Sequence, residues 1–162
     1  PVLHAVNIDE ADSPMIENPE KTGPGQKTGT AVMAFCGKIE AEISELGDEE
    51  KDAFMAEYGL KELSSGRFLK MIPVLLGTIS FFTIGKNEVR AWTVPRQSSA
   101  AQAAGAIHSD IERGFIRAEV MPWDKLLECG SLQAAKDKGA IRLEGKDYLV
   151  RDGDVIYFRF AP

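Results

Sequence analysis

The chain has 162 residues, of which 44% are hydrophobic and 27% are charged. This mixture is typical of globular domains and argues against a disordered or a membrane-embedded chain. The net charge of −6 is unevenly spread: residues 1–77 carry 7 Lys/Arg against 14 Asp/Glu, and residues 78–162 carry 12 against 11, so the first half is a poor candidate for binding nucleic acid.

The two cysteines, Cys36 and Cys129, form no Cys-x-x-Cys pair and no zinc set with His4 and His108. Free thiols are typical of a reducing, cytoplasmic environment. No uninterrupted apolar run is long enough to span a bilayer, and the first residues lack the features of a signal peptide. We therefore expect no membrane association.

Residues 1–8 are mostly apolar, which predicts a buried parallel strand. The chain begins inside this element, so we expect a further N-terminal portion in the parent protein. Residues 12–30 are rich in Pro, Gly, Lys and Thr and predict a loop. A second short strand is expected at residues 30–35.

Three helices are predicted next. The first covers residues 38–46, and the second begins at Asp48, an N-cap candidate, and ends at Gly59. The third runs from residue 64 toward residue 76, where Pro73 predicts a kink or a boundary.

From residue 78 the pattern is that of a β-rich domain. Residues 79–84 and 89–94 predict a hairpin, Ser99 caps an Ala-rich helix that extends to about Glu112, and residues 115–120 form a third strand. Short helices at residues 123–128 and 132–138 and strands at residues 141–144, 148–150 and 155–160 complete the chain. This order of elements, a hairpin followed by one helix and further strands, predicts a β-grasp fold, in which a small mixed sheet wraps around one helix.

The first strand ends in Asn7-Ile8-Asp9-Glu10. Ligands of open α/β folds bind beyond the carboxyl ends of the strands, and an Asn amide can bond a purine edge bidentately. An Asp three positions after Asn7 would suit guanine, so Glu10 weakens a guanine preference. A simple strand-ending turn is the alternative for these residues.

The second strand ends in Cys36-Gly37, where small residues let a planar base approach the backbone. These two strand ends predict one base-binding pocket, although a tight strand–helix turn would explain Gly37 equally well. The chain contains no Gly-x-x-x-x-Gly-Lys-Ser/Thr loop, so nothing in it cradles the β- and γ-phosphates. We therefore predict that this chain alone contains no catalytic residue, binds no metal and neither binds nucleotide tightly nor hydrolyses it.

Four side chains of the second half are candidates for contacts with RNA. Strand alternation places Arg90 and Trp92 on one sheet face, as a stacking platform or as part of the core. Arg113 and Arg117 flank a Gly turn and would contact phosphate or form a solvated rim. For His108 we see no catalytic partner, and a structural role at a helix end is favoured.

Seven short segments between residues 81 and 160 share an ordered pattern. They are Phe81-Phe82-Thr83, residues 88–93, 101–105, 107–110 and 112–119, Gly145-Lys146-Asp147-Tyr148 and Asp152-Gly153-Asp154. In this order they closely resemble the TGS domain of the YchF/Obg-like ATPases, a family of P-loop NTPases. Asn7-Ile8-Asp9-Glu10 then resembles the base-specificity motif of that family. The chain departs from the family pattern at residues 22–29, where the sequence predicts a loop rather than a helix, and at Pro73.

The resemblance implies an α+β protein with three segments. Residues 1–46 would end a P-loop nucleotide domain, residues 47–77 would form a helical connector, and residues 78–162 would form a β-grasp TGS domain. The base pocket would comprise Asn7, Ile8, Glu10, Cys36 and Gly37.

The implied function is that of a ribosome-associated ATPase, with ATP or GTP and Mg²⁺ bound in the full-length protein and an adenine nucleotide as ligand. The TGS domain would contact the large ribosomal subunit or RNA. The alternative is a stand-alone RNA- or ribosome-binding regulatory module without nucleotide chemistry.

Overall fold

A computed structural model describes residues 1–19, 29–85 and 88–161. The prediction of a loop at residues 12–30 was wrong for residues 12–17, which belong to a 3-10 helix. Residues 20–28 of that loop lie outside the described residues, as do two residues of the predicted hairpin turn, Lys86 and Asn87. The chain divides into two compact units, Pro1–Leu76 and Gly77–Pro162. The finer division of the first unit at residues 46 and 47 stays a prediction.

The first unit combines a two-stranded parallel sheet with four helical segments. Its elements are β1 (Val2–Asn7), a 3-10 helix (Glu10–Glu17), β2 (Thr30–Phe35), α1 (Gly37–Glu45), α2 (Asp48–Glu57) and α3 (Ser64–Leu76). Strands β1 and β2 pair residue by residue, from Val2 opposite Thr30 to Asn7 opposite Phe35.

The core of this unit lies between α1 and its neighbours. Ile39 and Ile43, which lie one turn apart on the same side of α1, are buried together with Ile16, Cys36 and Leu60. Strand β1 is less buried than its apolar sequence predicts, and its Val2 is 51% exposed. Strand β2, by contrast, is in contact with both the 3-10 helix and α3.

Helix α3 is fixed by polar groups from elsewhere in the unit. The Glu40 carboxylate of α1 accepts hydrogen bonds from the Ser64 amide, at 2.8 Å, and from the Ser64 hydroxyl. These bonds satisfy donors at the first turn of α3. The Arg67 guanidinium donates to the carbonyl oxygens of Ile16 (3.1 Å) and Ala34 (2.8 Å).

One helix-cap prediction for this unit was wrong. Asp48 is the first helical residue rather than the cap, because Gly47 occupies the cap position and donates its amide to Glu50. Helix α3 runs from Ser64 to Leu76 as predicted. Of the two outcomes considered for Pro73, a kink or a boundary, the boundary does not occur, and the helix ends before Gly77, whose φ of +65° is left-handed.

The second unit is a five-stranded mixed sheet. Its elements are β3 (Thr78–Ile84), β4 (Val89–Pro95), α4 (Ala100–Ile107), α5 (Ser109–Arg113), β5 (Phe115–Pro122), α6 (Trp123–Cys129), α7 (Leu132–Asp137), β6 (Arg142–Glu144) and β7 (Asp154–Phe160). The spatial order is β4-β3-β7-β5-β6. The central β3–β7 pair is parallel and the other pairs are antiparallel, which is the predicted β-grasp arrangement.

Helix α4 packs on one face of this sheet. Ser99 caps it as predicted, and the side chains of Ala100, Ala103 and Ala104 are completely buried. Their small size lets the helix approach the sheet closely, where Phe81 and Phe158 meet edge to face with ring centroids 6.1 Å apart.

Two further predictions were wrong in this unit. The Ala-rich helix does not reach Glu112, because His108 leaves the helix with φ −163° and its Nδ1 accepts the Asp110 amide at 3.1 Å, starting α5. Residues 148–150 form no strand but a single bridge between Leu149 and Ser99. The backbone of this segment bonds to the start of α4 rather than to the sheet, because the Ala100 amide donates to the Tyr148 carbonyl at 2.8 Å and the Val150 amide donates to the Ser98 carbonyl at 3.0 Å.

Among the residues that the structure describes, no helix combines the length and the apolar character that crossing a bilayer requires.

A tight contact at Gly114 generates a stability prediction. A Cβ at this position would collide with the backbone of Ala161, whose amide donates to the Gly114 carbonyl at 2.9 Å. We expect Gly114→Ala to lower the free energy of unfolding by about 1–3 kcal/mol, measured by urea denaturation. Gly145→Ala is the matched control, because nothing lies within 4 Å of its Cβ; equal stability losses in both variants would refute the packing explanation.

Candidate functional site

The ends of β1 and β2 bring Asn7 and Gly37 together. The register pairs Asn7 with Phe35, and the Gly37 amide at the start of α1 donates to Asn7 Oδ1 at 2.9 Å. The predicted adjacency of the two strand ends is therefore confirmed. The bond uses one lone pair of Oδ1, and within residues 1–19, 29–85 and 88–161 no further hydrogen bond occupies the second lone pair or the two Nδ2 hydrogens.

The Glu10 carboxylate is held by two partners on opposite sides. Lys38 Nζ contacts Glu10 Oε2 at 2.7 Å, and the Tyr58 hydroxyl donates to Oε1 at 2.9 Å. We call these three residues the Glu10 clamp. Hydrogen bonds from Lys38 and then Tyr58 lower the pKa of Glu10, and the bond to Glu10 raises the pKa values of both Lys38 and Tyr58.

The other two predicted pocket residues present backbone rather than side chain. The Ile8 amide donates to the Phe35 carbonyl at 2.9 Å and is therefore not available to a base. The Cys36 side chain is buried in the core of the first unit, and its backbone caps α1. The structure thus places all five predicted residues around the two strand ends.

Sequence reasoning missed Lys38 and Tyr58 as members of this site. Lys38 follows Gly37 directly, and its charge next to a predicted pocket was an available signal. Tyr58 is 48 positions from Glu10, in a helix whose orientation the sequence does not define.

The four predicted RNA-contacting residues do not share one surface. Arg90 lies 5.2 Å from the centroid of the Trp92 ring, and Trp92 Nε1 donates to Thr83 Oγ1 at 2.9 Å. Trp92 is partly buried against the α4 core, so its ring contributes to that core, while its role as a stacking platform stays a prediction. Arg113 ends α5 and is paired with Asp110.

Arg117 lies on the opposite face of the sheet. It pairs across the ladder with Arg159, whereas the next pair, Ala118 and Phe158, belongs to the α4 core. Because neighbouring strand residues point to opposite faces, Arg117 and Arg159 face away from α4.

Known proteins resemble this chain over nearly its whole length. A family model described as YchF-GTPase_C, protein of unknown function (DUF933), matches residues 78–161. The ribosome-binding ATPase YchF of Bacillus subtilis is 46% identical, covering 99% of this chain and 45% of the relative, and that of Escherichia coli O157:H7 is 41% identical, covering 99% and 44%. This chain therefore spans less than half the length of these relatives.

Solved structures also resemble this chain over nearly its whole length. The YchF GTPase of Schizosaccharomyces pombe matches with a TM-score of 0.75 at 25% identity, over 98% of this chain and 43% of that one. A GTP-binding protein of Pyrococcus horikoshii OT3 matches with a TM-score of 0.59 at 16% identity, over 99% and 46%; at this identity the likeness concerns the fold alone.

The Glu10 clamp generates a titration prediction. Because the folded pKa of Glu10 is lowered, the stability that the clamp contributes is present above the unfolded pKa of about 4.3 and is lost as the pH falls through the folded value. We expect carboxyl ¹³C NMR titration to give Glu10 a pKa below the ordinary Glu range, and Lys38→Met to raise it.

Lys51→Met is the control for this titration. Lys51 pairs with Asp48 at 3.2 Å rather than with Glu10, so its removal leaves the Glu10 titration unchanged. An ordinary Glu10 pKa in the unmodified protein would show that the clamp does not form in solution.

Proposed function

The chain belongs to the YchF family, and from this premise we propose that it supplies the base-binding and ribosome-contacting portion of a cytoplasmic ATPase of the Obg-related class. The observation that carries the nucleotide part is the hydrogen bond between the Gly37 amide and Asn7 Oδ1. The ribosomal part rests on relatives named ribosome-binding ATPase YchF. Residues 78–162 are proposed to be the TGS domain.

Asn7 is proposed to hold the adenine edge. Adenine offers a donor at its 6-amino group and an acceptor at N7, and an Asn amide can bond both at once. The Gly37 amide fixes the plane of the Asn7 side chain while leaving the free lone pair of Oδ1 and the Nδ2 hydrogens for these two atoms. The Ile8 carbonyl and the turn at Cys36-Gly37 complete the pocket.

The Glu10 clamp gives a physical reason for disfavouring guanine. Guanine would need a free carboxylate for its N1–H and N2–H₂ donors. Both oxygens of Glu10 already accept bonds, from Lys38 and Tyr58, and the Lys38 ammonium neutralises the charge. Guanine bound through Glu10 would therefore compete with the hydrogen bonds from Lys38 and Tyr58 for the same carboxylate.

The triphosphate and its Mg²⁺ are proposed to be held by other parts of the parent protein. The sequence has no P-loop motif, and within residues 1–19, 29–85 and 88–161 no three His, Cys, Asp or Glu side chains are grouped to hold a metal. This chain would contribute base selection, while the phosphate chemistry takes place elsewhere.

The ribosome contact is proposed to use Arg90, Trp92, Arg113 and Arg117 for the large subunit or its RNA. The stacked Arg90–Trp92 pair supports this choice, because it joins a cation to an aromatic plane. The second candidate function is a stand-alone ribosome-binding module in which residues 1–77 have no nucleotide role.

Nucleotide titration of the intact parent protein tests the base site. Asn7→Ala should weaken ATP binding by about ten- to 100-fold, since a bidentate base contact is worth about 1–3 kcal/mol. The double variant Lys38→Met/Tyr58→Phe should raise the affinity for GTP relative to ATP about tenfold, because it frees Glu10. Calorimetry with both nucleotides measures each change.

Lys51→Met serves as the matched control, since its salt bridge lies outside the clamp. An Asn7→Ala variant with unchanged ATP affinity would exclude the base site and leave the stand-alone module. Micromolar ATP binding by this chain alone would contradict the proposed division of labour.

Ribosome co-sedimentation tests the second part of the proposal. Arg113→Ala and Trp92→Ala should each reduce the ribosome-bound fraction several-fold. Trp92 also packs against the core, so Trp92→Phe, which keeps an aromatic plane, separates lost contact from lost stability. Unchanged binding in all these variants would remove the proposed surface.

A further inference from the structure

The sheet face opposite α4 carries an open groove in the second unit. The groove has a volume of about 560 Å³, within the ~300–1,000 Å³ range of small-ligand pockets. Its floor is apolar and includes buried Met121 and Val155. Tyr157, Arg159 and Lys136 also line it.

Tyr157 forms an aromatic platform at this groove. It remains 51% exposed, although an aromatic side chain of this size is usually well buried. The Arg159 guanidinium lies 4.5 Å from the centroid of its ring and also donates to Glu119 Oε1 at 2.8 Å. The contact with the ring and the hydrogen bond to Glu119 fix the position of Arg159. Together, Tyr157 and Arg159 form a planar cationic surface of the kind on which nucleobases stack.

The charge around this platform favours a polyanion. Glu119 is the carboxylate that lines the groove, and Arg159 neutralises it. Arg117 lies next to Arg159 on the same face, and Lys136 extends from α7. Neither cation has an ion-pair partner among residues 1–19, 29–85 and 88–161.

We propose that this groove binds an unpaired nucleotide of an RNA strand, with its base stacked on Tyr157 and its phosphates near Arg117 and Lys136. The proposal deepens the proposed ribosome contact and rests on it. The groove lies on the sheet face that carries Arg117, one of the four residues proposed for that contact, whereas Arg90 and Trp92 lie on the opposite face. A purely apolar partner would leave Arg117 and Lys136 unpaired at the edge of the interface, which makes RNA the better fit.

Fluorescence anisotropy of the full chain with a labelled ten-nucleotide oligouridine tests the site. Tyr157→Ala should weaken binding about five- to 100-fold, because stacking contributes about 1–3 kcal/mol per base. Tyr157→Phe keeps the ring and should bind within about twofold of the unmodified chain. Lys136→Ala should reduce the slope of log affinity against log salt by about 0.7, the value for one phosphate of a single strand.

Lys125→Ala is the matched control for Lys136, because Lys125 is an exposed cation already paired with Glu128 at 2.8 Å. Thermal unfolding checks that Tyr157→Ala is folded, and the exposed-site variant Lys136→Ala keeps the proposal falsifiable if it is not, because an unchanged salt slope in that variant would also overturn it. Equal RNA affinity in Tyr157→Ala and the unmodified chain, a loss in Tyr157→Phe as large as in Tyr157→Ala, or binding of an apolar peptide in the groove without RNA binding would overturn the proposal.

The two levels of the proposal fail in different ways. If the intact protein co-sediments with ribosomes but substitution of Tyr157 leaves the affinity for oligouridine unchanged, the proposed binding in the groove is refuted and the ribosome contact is not. If neither ribosomes nor RNA are bound, the proposed function itself fails.

Discussion

The parallel register of β1 and β2 is the constraint on which the candidate base site depends. It ends both strands at the same level, with Asn7 opposite Phe35, so that the next residues of each segment meet. A slip of one position would turn Asn7 to the other side of the sheet and separate it from the Gly37 amide. The Glu10 clamp then adds a second layer, because residues from the turn, from α1 and from the end of α2 converge on one carboxylate.

In the second unit the corresponding constraint is the division of the sheet into two unlike faces. The α4 face is closed by alanines and aromatic rings, and it supplies the core. The other face is only partly covered by α6 and α7, which leaves a groove between buried apolar residues and a cationic rim. The α4 face therefore supplies the core that stabilises the sheet, and the opposite face carries the groove proposed to bind RNA.

Much of this architecture could be predicted from local sequence signals. Alternation in β4, the Ser99 cap and the apolar stripe of α1 depend on neighbours a few residues apart, and the structure agrees with them. The errors arose where distant groups decide the outcome. His108 interrupts a good helical sequence by capping α5 itself, and residues 148–150 pair with residues 98–100 at the start of α4 instead of joining the sheet. The clamp partner Tyr58 could not be found because its position depends on the packing of α2, which no local pattern encodes.

Arg67 links three parts of the first unit through one planar group. Its guanidinium holds the backbone of the 3-10 helix at Ile16 and of β2 at Ala34, while its own helix ends at the last residue of the unit. Ala34 lies only three residues before Gly37. Any displacement of β2 would therefore either break this 2.8 Å bond or move α3 together with the strand.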